Sequence, residues 1–80
     1  MRWQNHAAER MIERSITSDD VKNVILYGSI IEKYQDDKPF PSYLVFSIID
    51  SRPLHVVCSY DNELKMLYII TTYEPDSRVF

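Results

Sequence analysis

Apolar residues near the start of the chain recur at three- and four-residue intervals. Trp3, Ala7 and Met11 form one stripe, Ala8 and Ile12 widen it, and Glu9 and Glu13 fall on the far side. That period predicts an amphipathic helix over Trp3–Arg14. A second helix is marked by its punctuation. Thr17 is the expected N-cap, with Asp20 three residues on as a capping-box partner and Ile16 and Val21 as a hydrophobic staple. Asp19 and Asp20 complement the helix dipole. Gly28, the only glycine, is expected to close this helix in a left-handed conformation, so that Gly28→Ala would cost about 1 kcal/mol.

After Gly28 the period changes from 3.6 to 2, and four strands are expected. Ile30–Tyr34 is the first, with Ile30, Glu32 and Tyr34 on one face. Ser42–Ile49 follows a loop containing Pro39 and Pro41. Leu54–Tyr60 follows a turn at Asp50-Ser51-Arg52-Pro53 and places Leu54, Val56 and Cys58 opposite His55, Val57 and Ser59. Lys65–Tyr73 follows a hairpin at Asp61-Asn62-Glu63 and is stopped by Glu74-Pro75-Asp76. Short connections favour an antiparallel meander. The expected fold is therefore α+β: two N-terminal helices packed on one face of a four-stranded antiparallel sheet.

Composition narrows this picture. Eighty residues, 45% of them hydrophobic, suit a single domain spanning 1–80 with a thin core. Cys58 is the only cysteine, which rules out an internal disulfide or a four-cysteine zinc site. The N-terminal residues lack the apolar core of a signal peptide, and the apolar runs are far shorter than a bilayer span, so a cytoplasmic, non-membrane protein is expected. The net charge of −3 opposes strong non-specific binding to nucleic acid.

Two groups of residues could carry chemistry. His6, Arg10 and Arg14 recur every four residues along one border of the first helix's apolar arc, so all three could reach one ligand where that helix meets the sheet. Arginine's planar fork suits phosphate. The same ladder also suits plain ion pairing with Glu9 and Glu13. His55 interrupts an apolar run, as an acid or base if it faces the same seam and as a satisfied, partly buried histidine if it does not. Glu32 is a candidate base or a partner for Arg10 or Arg14; its alternative is a simple strand-face charge. Tyr68 and Tyr73 could stack on bases or fill the core. Cys58 reads as an inert core thiol. The two histidines lack a nearby third ligand, so neither a metal nor another cofactor is expected, and the chain has no Gly-rich phosphate loop and no Gly-x-Ser-x-Gly elbow.

The segments His6–Arg14, Arg52–Val57 and Ile69–Asp76, with the Asp37-Lys38-Pro39 turn and Pro41-Ser42, together resemble a small bacterial family, the domain of unknown function 4258. That family looks like a distant branch of the RelE/ParE-type toxin fold. The resemblance implies the toxin half of a type II toxin–antitoxin pair, with a small zinc-finger antitoxin-like protein as partner and RNA or the ribosome as target. It points to His6, Arg10, Arg14, Glu32, His55 and Tyr73 as the site of a metal-independent RNA endonuclease. In that scheme His55 or Glu32 is the base, His6 the acid, and Arg10 and Arg14 stabilise the phosphorane. The competing expectation is a non-catalytic interaction module that docks a partner on an exposed strand edge. Convergence of His6, Arg10, Arg14 and His55 in one concavity would favour chemistry. Scatter over separate faces would favour the module.

Overall fold

The computed structural model describes residues 1–75. Its elements run β1 (Arg2–Trp3), α1 (Asn5–Glu13), α2 (Ser18–Tyr27), β2 (Ser29–Tyr34), β3 (Ser42–Ile49), β4 (Arg52–Asp61) and β5 (Met66–Tyr73). The class is α+β, with both helices on one face of a sheet ordered β1-β5-β4-β3-β2. The sheet has five strands rather than four and is mixed rather than antiparallel, because β1 adds in parallel to β5, pairing Arg2 with Tyr68 and Trp3 with Ile69. The Gln4 N–H extends that pairing by donating to the Ile69 carbonyl at 3.1 Å. Asp76, expected to help end the last strand, lies outside the described residues.

The second helix forms for the reasons its sequence carries. Thr17 Oγ1 accepts from the Asp20 N–H at 3.0 Å, and Asp20 Oδ2 accepts from the Thr17 N–H at 3.0 Å, a complete capping box despite the shorter acid. Ile16 and Val21, the two halves of the expected staple, are both buried. The first helix is shorter than its period predicts. Ala7 and Met11 enter the core, but Ala8 is exposed and Ile12 is 83% exposed, so the apolar arc is narrow. Trp3 has left the helix altogether for β1, from which it packs against the core.

Gly28 does not take the expected left-handed conformation. Its φ is −82° and its ψ 178°, an extended conformation open to any residue. The need for glycine is spatial. A Cβ at this position would collide with the carbonyl oxygen of Val24, lie 2.6 Å from the carbonyl oxygen of Phe46, and sit 3.1 Å from Val45 Cγ1. The helix end is pressed directly onto β3.

Strands β3 and β4 are joined by a two-residue turn, Asp50-Ser51, with φ of 52° and 67°. Positive φ at both centres matches the twist of a tight hairpin, and Asp tolerates that region better than most residues. The turn fixes the register: Ile49 opposite Arg52, Val45 opposite Val56, Phe46 opposite His55. Leu54, Val56 and Cys58 point into the helix-covered layer and are buried there with Ile69, Val21 and Val24. In β2 a bulge between Ile30 and Glu32 breaks the alternation. Ile30 pairs with Val45 on the helix side while Glu32 pairs with Leu44 on the other, so Ile30 does not share a face with Glu32 and Tyr34 as expected. No helix among the described residues is long and apolar enough to cross a membrane.

Candidate functional site

The sheet face that the helices leave bare carries the densest grouping of chemically capable side chains. Register sets its rows: Phe46, His55 and Tyr73 across β3, β4 and β5; Glu32, Leu44, Val57 and Thr71 from β2 to β5 in the next; then Tyr34, Ser42, Ser59 and Tyr68. His55 Nδ1 stands 3.3 Å from the Tyr73 hydroxyl. The Phe46 ring meets the imidazole edge-on, with centroids 5.7 Å apart and planes at 90°, and the Tyr73 ring meets it at 5.3 Å and 65°. Below it, the buried Thr72 hydroxyl donates to the His55 carbonyl at 2.8 Å, fixing the backbone from the helix side.

Electrostatics follow from this setting. Burial among these rings lowers the His55 pKa from its ordinary 6.5, so the imidazole is neutral at neutral pH and suited to accept a proton. The Tyr34 phenol is raised above its ordinary 10.0, first by desolvation and then by the Glu32 carboxylate and the Tyr73 phenol. Glu32, Tyr34 and Tyr73 therefore lie within electrostatic reach of one another across the face. The arrangement offers a neutral imidazole, two phenols and a carboxylate over an apolar floor of Leu44 and Val57. Positive charge is scarce. Among the described strand positions the register brings one cation to this face, Arg2, beside Tyr68 at the β1 edge. Phe40 closes that end by stacking on Tyr68, with centroids 5.8 Å apart and planes at 2°.

The cationic ladder lies on the other side of the sheet. Ala7 and Met11 bind α1 to the face that Leu54 and Ile69 line, opposite His55. His6 is almost wholly exposed, 3.7 Å from Glu9. Arg10 pairs with Glu13 at 3.0 Å. Arg14 donates to the Thr72 carbonyl at 2.9 Å and ties its helix to β5. The expected common ligand for His6, Arg10 and Arg14 is thus replaced by three separate local contacts, and none of the three shares a concavity with His55. Glu32 likewise faces away from Arg10 and Arg14. Of the six candidates the structure joins His55 to Tyr73, puts Glu32 on the same face two strands from His55, and leaves His6, Arg10 and Arg14 with the helices.

Sequence pattern alone gives Phe46, Tyr34 and Arg52 no role in a site. Phe46 and Tyr34 follow from strand alternation once register is known. The four-residue turn expected at Asp50–Pro53 hid that register. Arg52 is not part of a turn: it opens β4, where its guanidinium donates to the carbonyls of Arg14 and Ser15 at the end of α1 and pairs with Glu74 at 2.9 Å. It acts as a C-terminal clamp for the helix. Cys58 is buried, and burial pushes its thiol up to about 11, which leaves it unreactive. Among the described residues no group of three or more His, Cys, Asp or Glu is placed to hold a metal ion.

The family model of the domain of unknown function DUF4258 matches residues 3–74, and the chain belongs to that family. No curated protein and no solved structure matches the chain.

Proposed function

We propose that this member of the DUF4258 family works as a non-catalytic protein-interaction module of a small bacterial complex. The observation that carries the reading is β2. It is the last strand of the sheet, and all six of its residues, Ser29–Tyr34, are exposed. Natural sheets usually shield such an edge, and an uncovered one is a template for strand addition. Leu26 and Tyr27 at the end of α2, 70% and 78% exposed, continue the apolar surface of Ile30 and Ile31. The scatter of His6, Arg10, Arg14 and His55 over both faces points the same way, since Arg10 and Arg14 already hold close contacts within the fold. The expected occupant is an antitoxin-like partner, in a cytoplasmic setting.

The full chain used as bait against its genomic neighbour should yield a stoichiometric complex. Leu26→Glu combined with Ile31→Glu should abolish that complex while leaving the melting temperature within a few degrees, because both positions are exposed. A complex that survives the double substitution would sink this reading.

The His55–Tyr73 pair favours a second reading, a metal-independent endoribonuclease toxin with a RelE/ParE-like arrangement of helices on a sheet. Neutral His55 would take the 2′-hydroxyl proton, with Tyr73 beside it and Glu32 on the same sheet face two strands away. RNA binding would have to proceed without a basic floor, which weakens this reading against the first. Its signature is positional. Expression of the chain alone should arrest growth, His55→Ala and Tyr73→Phe should each relieve the arrest, and His6→Ala and Arg10→Ala across the sheet should leave it in place. Harmless expression of the wild type with intact cellular RNA would end it.

A further inference from the structure

We propose that the hairpin end of the sheet holds a binding site for a basic amphipathic segment of a protein partner, with an arginine or lysine side chain seated between aromatic rings and carboxylates. The inference rests on the interaction-module reading and names the chemistry of the partner. A cavity of about 630 Å³ at this end is lined by Phe40, Tyr43, Tyr60, Asp61 and Glu63. Tyr43 and Tyr60 also wall a second cavity of about 390 Å³, whose remaining lining includes Ile25, Ile30, Val45 and Leu67. The two therefore adjoin at these tyrosines, and together they make a surface that is apolar under α2 and aromatic–acidic at the hairpin. It lies at the hairpin end of the sheet, with Tyr43 and Tyr60 on the helix-covered face and Phe40 stacked on Tyr68 of the bare one.

Asp61 is the side chain that points to a cation. It is only 8% exposed. Its Oδ1 accepts the Glu63 N–H at 3.0 Å and the Leu64 N–H at 3.2 Å, which shapes the hairpin. Its Oδ2 makes no hydrogen bond to any described residue, although Asp61 lines the cavity. Lys65, on the same hairpin, makes no ion pair with Asp61 or Glu63 among the described residues. That oxygen is not sealed from solvent, so a charged donor that enters the cavity can reach it and form a charge-assisted hydrogen bond. Phenol and phenyl faces attract the same kind of group, guanidinium above all. The carboxylates repel phosphate, so the site selects a basic peptide over a nucleic acid. The adjoining apolar groove sets the rest of the motif: one or more aliphatic side chains next to the cation, as on one face of a short amphipathic segment.

Panning a random peptide-display library against the full chain tests the site without the cellular partner. Recovered peptides should share an aliphatic residue beside an arginine or lysine. For a recovered peptide made synthetically, replacing that cation by glutamine should weaken binding by about tenfold, as should Asp61→Asn in the protein. Asn keeps the Oδ1 acceptor that shapes the hairpin, and Glu63→Gln, at an exposed position, gives a second variant that should weaken binding with no change in melting temperature. Failure to recover binders, a consensus without basic residues, or equal binding to Asp61→Asn and Glu63→Gln would each overturn the proposal. If panning fails while the neighbour pulldown still gives a complex, the basic-peptide site falls and the β2-edge module stands.

Discussion

Gly28→Ala should cost about 3 kcal/mol, several times what a simple loss of backbone freedom would give. The added methyl has nowhere to go. It meets the Val24 carbonyl oxygen on one side and the Phe46 carbonyl oxygen at 2.6 Å on the other, both backbone atoms held by hydrogen bonds or strand pairing. Relief requires α2 to lift from β3, which would loosen Val24 and Val45 in the core. A domain of this size has a total stability of roughly 4–12 kcal/mol, so the variant should melt more than 10 °C below the wild type. Gly28→Ser should behave similarly, since any Cβ collides. The discriminating comparison is a D-alanine at position 28, introduced by chemical synthesis. It would rescue a left-handed glycine, but at φ −82° it should offer no rescue here. Full stability of Gly28→Ala would show that α2 does not press on the sheet as described.

The same residue shows what the sequence could and could not carry. That the helix ends at Gly28 was legible, because local rules of capping and period change are written in adjacent residues. Why it must be glycine was not, because the colliding Phe46 carbonyl comes from a strand eighteen residues on. Strand β3 was legible to its ends, and the sidedness of Leu54, Val56 and Cys58 followed from alternation alone. Strand β1 was not, since two residues are too few for any period and its parallel partner is at the far end of the chain. The bulge after Ile30 had no local mark and reversed one expected face. The site suffered most from this kind of distance. Helical spacing put His6, Arg10 and Arg14 on one border of α1, and alternation put His55 opposite Leu54. The missing fact was which sheet face the helices cover, and that is decided by the sum of apolar surface on each side, not by any one motif. Leu54, Val56, Cys58 and Ile69 outweigh His55, Val57 and Ser59, and they take the helices and their cations with them.

Adjacent residues on β4 therefore provide the sharpest test of the two-faced sheet. Leu54 is wholly buried against the helices, while His55, next in sequence, faces the uncovered side. Leu54→Ala should remove about 3 kcal/mol, through lost burial and the cavity left beneath both helices. That is a large share of the stability of an 80-residue domain, and it should lower the melting temperature by roughly 15 °C. His55→Ala loses ring contacts with Phe46 and Tyr73 and the bond to the Tyr73 hydroxyl, all on the open face, and should cost about 1 kcal/mol. The two should also perturb different amides. In Leu54→Ala the shifts should spread through α1 and α2 by way of Ala7, Met11, Val21 and Val24, whereas in His55→Ala they should stay with Phe46, Tyr73 and their neighbours on the open face. Equal costs, or helix amides that respond to His55→Ala as strongly as to Leu54→Ala, would mean that His55 does reach the helix seam. That result would restore the single cationic site in which His6, Arg10, Arg14 and His55 act together.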